Sequence, residues 1–264
     1  MKKIIGLTLA ALAALAAPAS AHFNMLLPDK PAAKKGEEVV FLYQWGHPYE
    51  HQLFDAPPPD AVRVIAPDGK TTDLTKTLEK TTAPAGEGKT VTAYQFRFTP
   101  DQRGDYVFLL YTPPIWMEED AEFLQDGVAV VLHVQAQKGW DAMPGAFDLT
   151  PLTRPYGLEP GMVFQARLQP SALFPTKLPN ADQLVEIEHY HPQPPKTIPP
   201  DEFCTRTAKT DPNGVVTATL TDAGWWCLAA VRKPLRSLDH NGKSYPVRER
   251  SIFWVHVDEK ITDK

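Results

Sequence analysis

The chain has 264 residues, 27 of them proline and 15 glycine, so proline is at about twice its usual share of roughly 5%, which excludes a mostly helical architecture. Hydrophobic residues at 43% and charged residues at 22% exclude a disordered or low-complexity chain. The formal charge of −5, from 27 basic and 32 acidic residues, comes without any basic run and argues against nucleic acid or an anionic lipid surface as partner.

Residues 1–21 read as a cleavable export signal. Lys2-Lys3 is a positive start, Ile4 to Ala17 is an Ala/Leu-rich apolar run, and Ala19-Ser20-Ala21 supplies small residues before the cut. Removing Lys2 and Lys3 leaves 25 basic against 32 acidic residues, a net −7. No later stretch is long and apolar enough to span a bilayer, so the exported protein is expected without direct membrane insertion.

From there the pattern is one of short strands between turns. Glu38–Tyr43, Ala61–Ile65, Val91–Phe98, Gly104–Tyr111 and Val128–Val134 are rich in β-branched and aromatic residues, the last apolar on both faces except at His133. Ala66-Pro67-Asp68-Gly69-Lys70 is a turn by its proline and glycine. Residues 141–156 carry Pro144, Gly145, Pro151 and Pro155 with little periodicity and read as a linker. A second series follows at Met162–Leu168, Gln183–Tyr190, Gly214–Thr221, Trp225–Val231 and Ser251–Val257, with a turn at Asp211-Pro212-Asn213-Gly214. The only helix expected is a short one around Glu118 to Gln125. The expectation is all-β: two antiparallel β-sandwich domains, immunoglobulin-like or transthyretin-like, at 22–140 and 157–264.

No nucleophile elbow, phosphate-binding glycine loop or H-E-x-x-H motif is present, so no enzyme is expected. Five of the eight histidines instead fall in three places. Cleavage after Ala21 makes His22 the first residue, and its α-amine, with a pKa near 7.7–8.0, yields readily to a metal ion. Amine and Nδ1 then close a six-membered chelate, a nitrogen-rich bite suited to nickel, copper or zinc. His47 and His51 flank Pro48-Tyr49-Glu50, and a helical turn opened by Pro48 would bring both imidazoles to one side, with Glu50 as carboxylate ligand or imidazole partner.

His189 and His191 alternate along a strand, so both lie on one face with Val185 and Ile187, while Glu186, Glu188 and Tyr190 lie on the other. They are weaker metal candidates, as is Glu50. His133 and His256 read as strand residues and His240 as part of a turn. Trp225 and Trp226 point to opposite faces and cannot form one flat sugar platform; Cys227 shares the side of Trp225. Cys204 and Cys227 are too few for a thiolate metal site, and in an exported protein they are expected as one disulfide.

The start Ala21-His22-Phe23-Asn24-Met25-Leu26-Leu27-Pro28, then Gly46-His47-Pro48-Tyr49-Glu50-His51, Val185-Glu186-Ile187-Glu188-His189-Tyr190, and Thr210-Asp211-Pro212-Asn213-Gly214 leading into Ala223-Gly224-Trp225-Trp226, resemble the DUF4198 family. That family includes the periplasmic component of nickel and cobalt uptake systems of the energy-coupling-factor type. The resemblance implies a periplasmic protein that binds Ni(II) or Co(II) and delivers it to a membrane transporter, with His22 and His47 as ligands; His51 is added on spacing alone. Glu188-His189-Tyr190-His191 departs from the family's aromatic-rich strand. Two other readings stand beside this one: a copper carrier or copper oxidase binding Cu(II) through the same two histidines, and a metal-free envelope scaffold.

Overall fold

The computed structural model describes residues 22–86, 88–140, 149–169 and 180–260. Strands make up 55% of the described residues. In order they are β1 (Phe23–Pro28), β2 (Ala32–Ala33), β3 (Val39–His47), β4 (Gln52–Phe54), β5 (Ala61–Ile65), β6 (Thr71–Asp73) and β7 (Glu79–Pro84). Then come β8 (Thr90–Phe98), β9 (Gly104–Tyr111), β10 (Ile115–Met117), β11 (Glu122–Val134), β12 (Leu149–Pro151) and β13 (Met162–Leu168). The last third holds β14 (Leu184–His189), the single-turn helix α1 (Asp201–Cys204), β15 (Arg206–Lys209), β16 (Val215–Leu220), β17 (Gly224–Val231), β18 (Ser237–His240) and β19 (Lys243–Val257).

Among the described residues these strands form three layers. An outer sheet runs β1-β3-β8-β7 with β4 folded onto β3, the middle sheet runs β15-β14-β17-β19-β11-β9-β5-β6, and a smaller outer sheet runs β12-β13-β16. Most pairs are antiparallel. The strands from the two halves of the chain meet in the middle sheet at β11 and β19, which run parallel from Phe123↔Val247 to Val130↔Trp254.

A middle sheet must bury both faces, and its strands are accordingly apolar at consecutive positions. Tyr106, Phe108, Leu110, Val128, Val130, Leu132, Ile252 and Trp254 pack against the β1-β3-β8-β7 sheet. Their neighbours Val107, Leu109, Ala129, Val131, Phe253 and Val255 pack, on the other face, with Phe164, Ala166, Leu168, Val216 and Leu220 of the smaller sheet. His133 interrupts this run without a polar debt: its Nδ1 lies 2.7 Å from Asp105 Oδ1, and Tyr156 donates to the other carboxylate oxygen at 3.1 Å.

Several sequence expectations meet a different outcome. Glu122 to Gln125 are the start of strand β11, paired with β10 and β19, and among the described residues the one α-helical turn lies at Asp201–Cys204. Alternating burial from Glu122 to Gln125 serves a sheet, and a free helix there would leave Leu124 without its layer. Of the expected linker, 141–148 lie outside the described residues and Leu149–Pro151 is a strand of the smaller sheet. The expected disulfide is absent: Cys204 and Cys227 are not joined. Cys227 points into the core beside Ala229 and Trp254, whereas the Cys204 thiol turns back toward the Pro199 carbonyl at 3.7 Å. The Asp211–Gly214 turn closes as expected, with Gly214 N–H donating to Asp211 O at 2.9 Å and Gly214 at φ +76.

Phe253→Ala, in the doubly covered sheet, is expected to cost about 3–5 kcal/mol, whereas Val163→Ala, 48% exposed on the smaller sheet, is expected to stay within about 0.5 kcal/mol. Urea unfolding of the two variants checks this directly.

Candidate metal site

The first strand brings two of the predicted residues together. β1 pairs antiparallel with β3 in the register Phe23↔Gly46, which sets His22 opposite His47. The two rings stand 4.4 Å apart, edge to face at 72°. An imidazole nitrogen binds a late first-row ion at about 2.0–2.1 Å, so the ring centroids of neighbouring ligands lie roughly 4.5 Å apart and those of opposed ligands roughly 6 Å. The observed spacing is close to that of neighbouring imidazoles on one ion.

The surroundings are aromatic. Phe54 lies 5.1 Å from the His22 ring and 5.5 Å from the His47 ring, and Trp45 lies 5.3 Å from His22. Phe54 reaches this spot because β4 folds tightly over β3 at Gly46. That residue has φ +152, and a Cβ there would stand 2.1 Å from the Gln52 carbonyl oxygen, so only glycine allows the approach. The Trp45 indole N–H is buried without a hydrogen-bond acceptor among the described residues, and an unpaired buried donor costs about 1–3 kcal/mol.

Residue 22 is fixed from below by a buried polar cluster. Arg250 donates through Nη2 to the His22 carbonyl. The same guanidinium holds Asp126 with two bonds, Nε to Oδ1 at 3.0 Å and Nη2 to Oδ2 at 2.8 Å, and reaches Glu186 at 3.2 Å. Asn24 donates to Asp126 at 2.7 Å and accepts from the Tyr43 hydroxyl at 2.7 Å, while the Trp254 indole donates to the Asn24 carbonyl at 3.1 Å. The guanidinium carbon lies 5.0 Å from the centre of the Phe23 ring. None of Arg250, Asp126 or Asn24 was singled out by motif reasoning; the signal available was a charged residue inside an apolar strand, which must be paired.

His51 takes another position. The residues after Pro48 form a turn that ends with His51 at φ +53, so the helical alignment with His47 does not arise. Its ring is buried with Nδ1 2.9 Å from the His191 carbonyl and Nε2 3.3 Å from the Pro84 carbonyl. Both nitrogens thus face carbonyl oxygens of other segments, and His51 ties the loop down. Glu50 lies in the same turn.

This loop also meets β14. Tyr49 N–H donates to Glu188 Oε1 at 2.9 Å, and His191 N–H donates to the Pro48 carbonyl at 3.0 Å. His189 and His191 stand 4.7 Å apart, on the face opposite Glu186 and Glu188. Burial pushes the Glu188 carboxyl up to about 8, the nearby charges of Glu50 and Glu186 adding to it against the bonds from Thr205 and Tyr49. Among the described residues, no three His, Cys, Asp or Glu side chains converge on a metal position.

Fold and site together define a β-rich, three-layered domain that sets two imidazoles side by side at the start of its first strand. The chain belongs to the DUF4198 family, a domain of unknown function whose model matches residues 19–233. No curated protein matches it. Among solved structures it is similar to dimeric latent PorU from Porphyromonas gingivalis (10% identity, TM-score 0.24) and Escherichia coli alpha-2-macroglobulin activated by porcine elastase (15%, TM-score 0.23). The match covers 90% of this chain and 20% of each of theirs. Fibronectin(III)-like modules of Clostridium thermocellum CbhA match at 9% identity over 91% of this chain and 99% of theirs, with TM-score 0.22. Likenesses this distant carry no argument about function.

The folded protein keeps the Glu188 proton up to about pH 8, while the unfolded chain releases it near the ordinary 4.5. The associated stability is therefore complete below about pH 4.5 and is lost as pH climbs through 8. Glu188→Gln is expected to flatten this slope, by on the order of a few kcal/mol between pH 5 and 9, as read from urea midpoints at the two pH values.

Proposed function

We propose that this protein is an exported, periplasmic carrier, not an enzyme, that captures Ni(II) or Co(II) and passes the ion to a membrane uptake transporter. The observation that carries the reading is the 4.4 Å approach of His22 and His47. Once the signal is cut after Ala21, the His22 amine joins the two imidazoles, giving three nitrogen donors of the type late first-row ions prefer. Arg250 holds the His22 carbonyl, and the amine and the ring are the groups proposed to meet the ion.

Three donors leave positions open for water or for an incoming ligand, which suits an ion that has to be released. The orphaned Trp45 N–H supports the same reading, as a donor to a water or anion held on the ion. On this reading each half, 22–140 and 157–264, is an immunoglobulin-like or transthyretin-like sandwich serving as a rigid mount, the two halves sharing the middle sheet.

The test is calorimetric titration, with Ni(II), Co(II), Cu(II) and Zn(II), of protein that begins at His22. Binding tighter than micromolar is expected for Ni(II) or Co(II). One extra residue ahead of His22 should weaken it at least tenfold, and the double variant His22→Ala, His47→Ala should abolish it. Affinity unchanged by the added residue would contradict the amine as ligand, and no binding tighter than micromolar would contradict the function.

A further inference from the structure

We propose that His189 and His191 form a second, separate two-imidazole site for a divalent late first-row ion, next to the first and weaker than it. The inference rests on the proposed function only for the class of ion; its geometry stands on other residues.

β14 ends at His189, in register with Trp226 of β17, and Tyr190 N–H still donates to the Trp225 carbonyl at 2.8 Å. His189 Nε2 lies 2.9 Å from the Ala223 carbonyl, and His191 Nδ1 lies 2.6 Å from the Tyr49 carbonyl. A carbonyl oxygen only accepts, so each of these nitrogens carries its ring's proton. The lone pairs then sit on Nδ1 of His189 and Nε2 of His191. An imidazole whose N–H is spent on a carbonyl while its other nitrogen is left basic is the arrangement of a metal ligand.

The rings also stand correctly. Their centroids are 4.7 Å apart at 78°, close to the roughly 4.5 Å of neighbouring imidazoles on one ion. Packing holds them so: the His189 ring lies 4.7 Å from Trp226, and the Tyr49 ring meets His191 edge-on at 4.5 Å. Gly224, at φ +115, leaves room for His189, since a Cβ there would stand 3.0 Å from Nε2.

The site is distinct from the first because no three His, Cys, Asp or Glu side chains converge among the described residues. It is nonetheless close along the chain. His191 N–H bonds to the Pro48 carbonyl, one residue from His47, so a three-residue stretch, His47-Pro48-Tyr49, joins a ligand of the first pair to the acceptor that orients the second. With two protein nitrogens, the second site fills the remaining positions of the ion with water. An ion leaving the first pair has a station of lower affinity beside it.

The experiment uses protein that begins at His22, titrated with Cu(II) and with Ni(II) alone, and follows histidine ring protons by NMR as well as heat. Two classes of binding are expected, and His189→Gln with His191→Gln should remove only the weaker one. In His22→Ala with His47→Ala protein, substoichiometric Cu(II) should still broaden the His189 and His191 ring signals. A weaker class that survives the glutamine pair, or no broadening at His189 and His191 in either protein, overturns the proposal. Loss of the tighter class alone in the alanine pair reports on the first site and leaves the second standing.

Discussion

The buried guanidinium of Arg250 is the interaction on which the rest depends. It gathers four parts of the chain that are far apart in sequence: its own strand β19, Asp126 of β11, Glu186 of β14 and the carbonyl of His22. A buried arginine costs several kcal/mol to desolvate, and only near-complete hydrogen bonding offsets that. Here the offset comes from two carboxylates and one carbonyl, so the charge is tolerable only when the two halves and residue 22 are all in place. The cluster makes the position of residue 22 a consequence of the whole fold.

The same logic explains the layering. β11 and β19 are each the last strand of one half, and their parallel pairing makes a single sheet that is covered on both sides. Each half lends the other a layer. The segments Gly46 to His51 and Glu186 to His191 then meet where the halves join, through Tyr49, Glu188, Pro48 and His191. Motif residues grouped on spacing alone part in the fold: His22 and His47 stand side by side, whereas His51 lies with both ring nitrogens at carbonyl oxygens of other segments.

Much of this was legible beforehand. Alternation located Ala61–Ile65, Gly104–Tyr111 and Met162–Leu168 with their observed bounds, because period-two patterns are local. The doubly apolar run at Val128–Val134 already signalled a strand covered on both faces, although what covered it was a matter of long-range pairing. The stretch from Glu118 failed as a helix because charged residues at a strand's entry mimic helical composition. His51 misled because the turn after Pro48 ends in a left-handed residue that spacing does not reveal. Cys204 and Cys227 misled because redox compartment permits a bond that the positions of β17 and α1 do not make. Arg250 was invisible as a site residue, since its role depends on which strands become neighbours.

What remains is a chemical consequence of one peptide bond. While Ala21 is attached, residue 22 offers an amide and an imidazole; when it is removed, the fixed carbonyl leaves an amine and an imidazole facing His47. Pulsed electron paramagnetic resonance of the protein beginning at His22, loaded with one equivalent of Cu(II) as a probe, reads those donors directly. The account predicts couplings to two imidazoles, with a directly bound amine nitrogen that disappears when one residue precedes His22. A spectrum with a single imidazole, or one unchanged by that added residue, would contradict it.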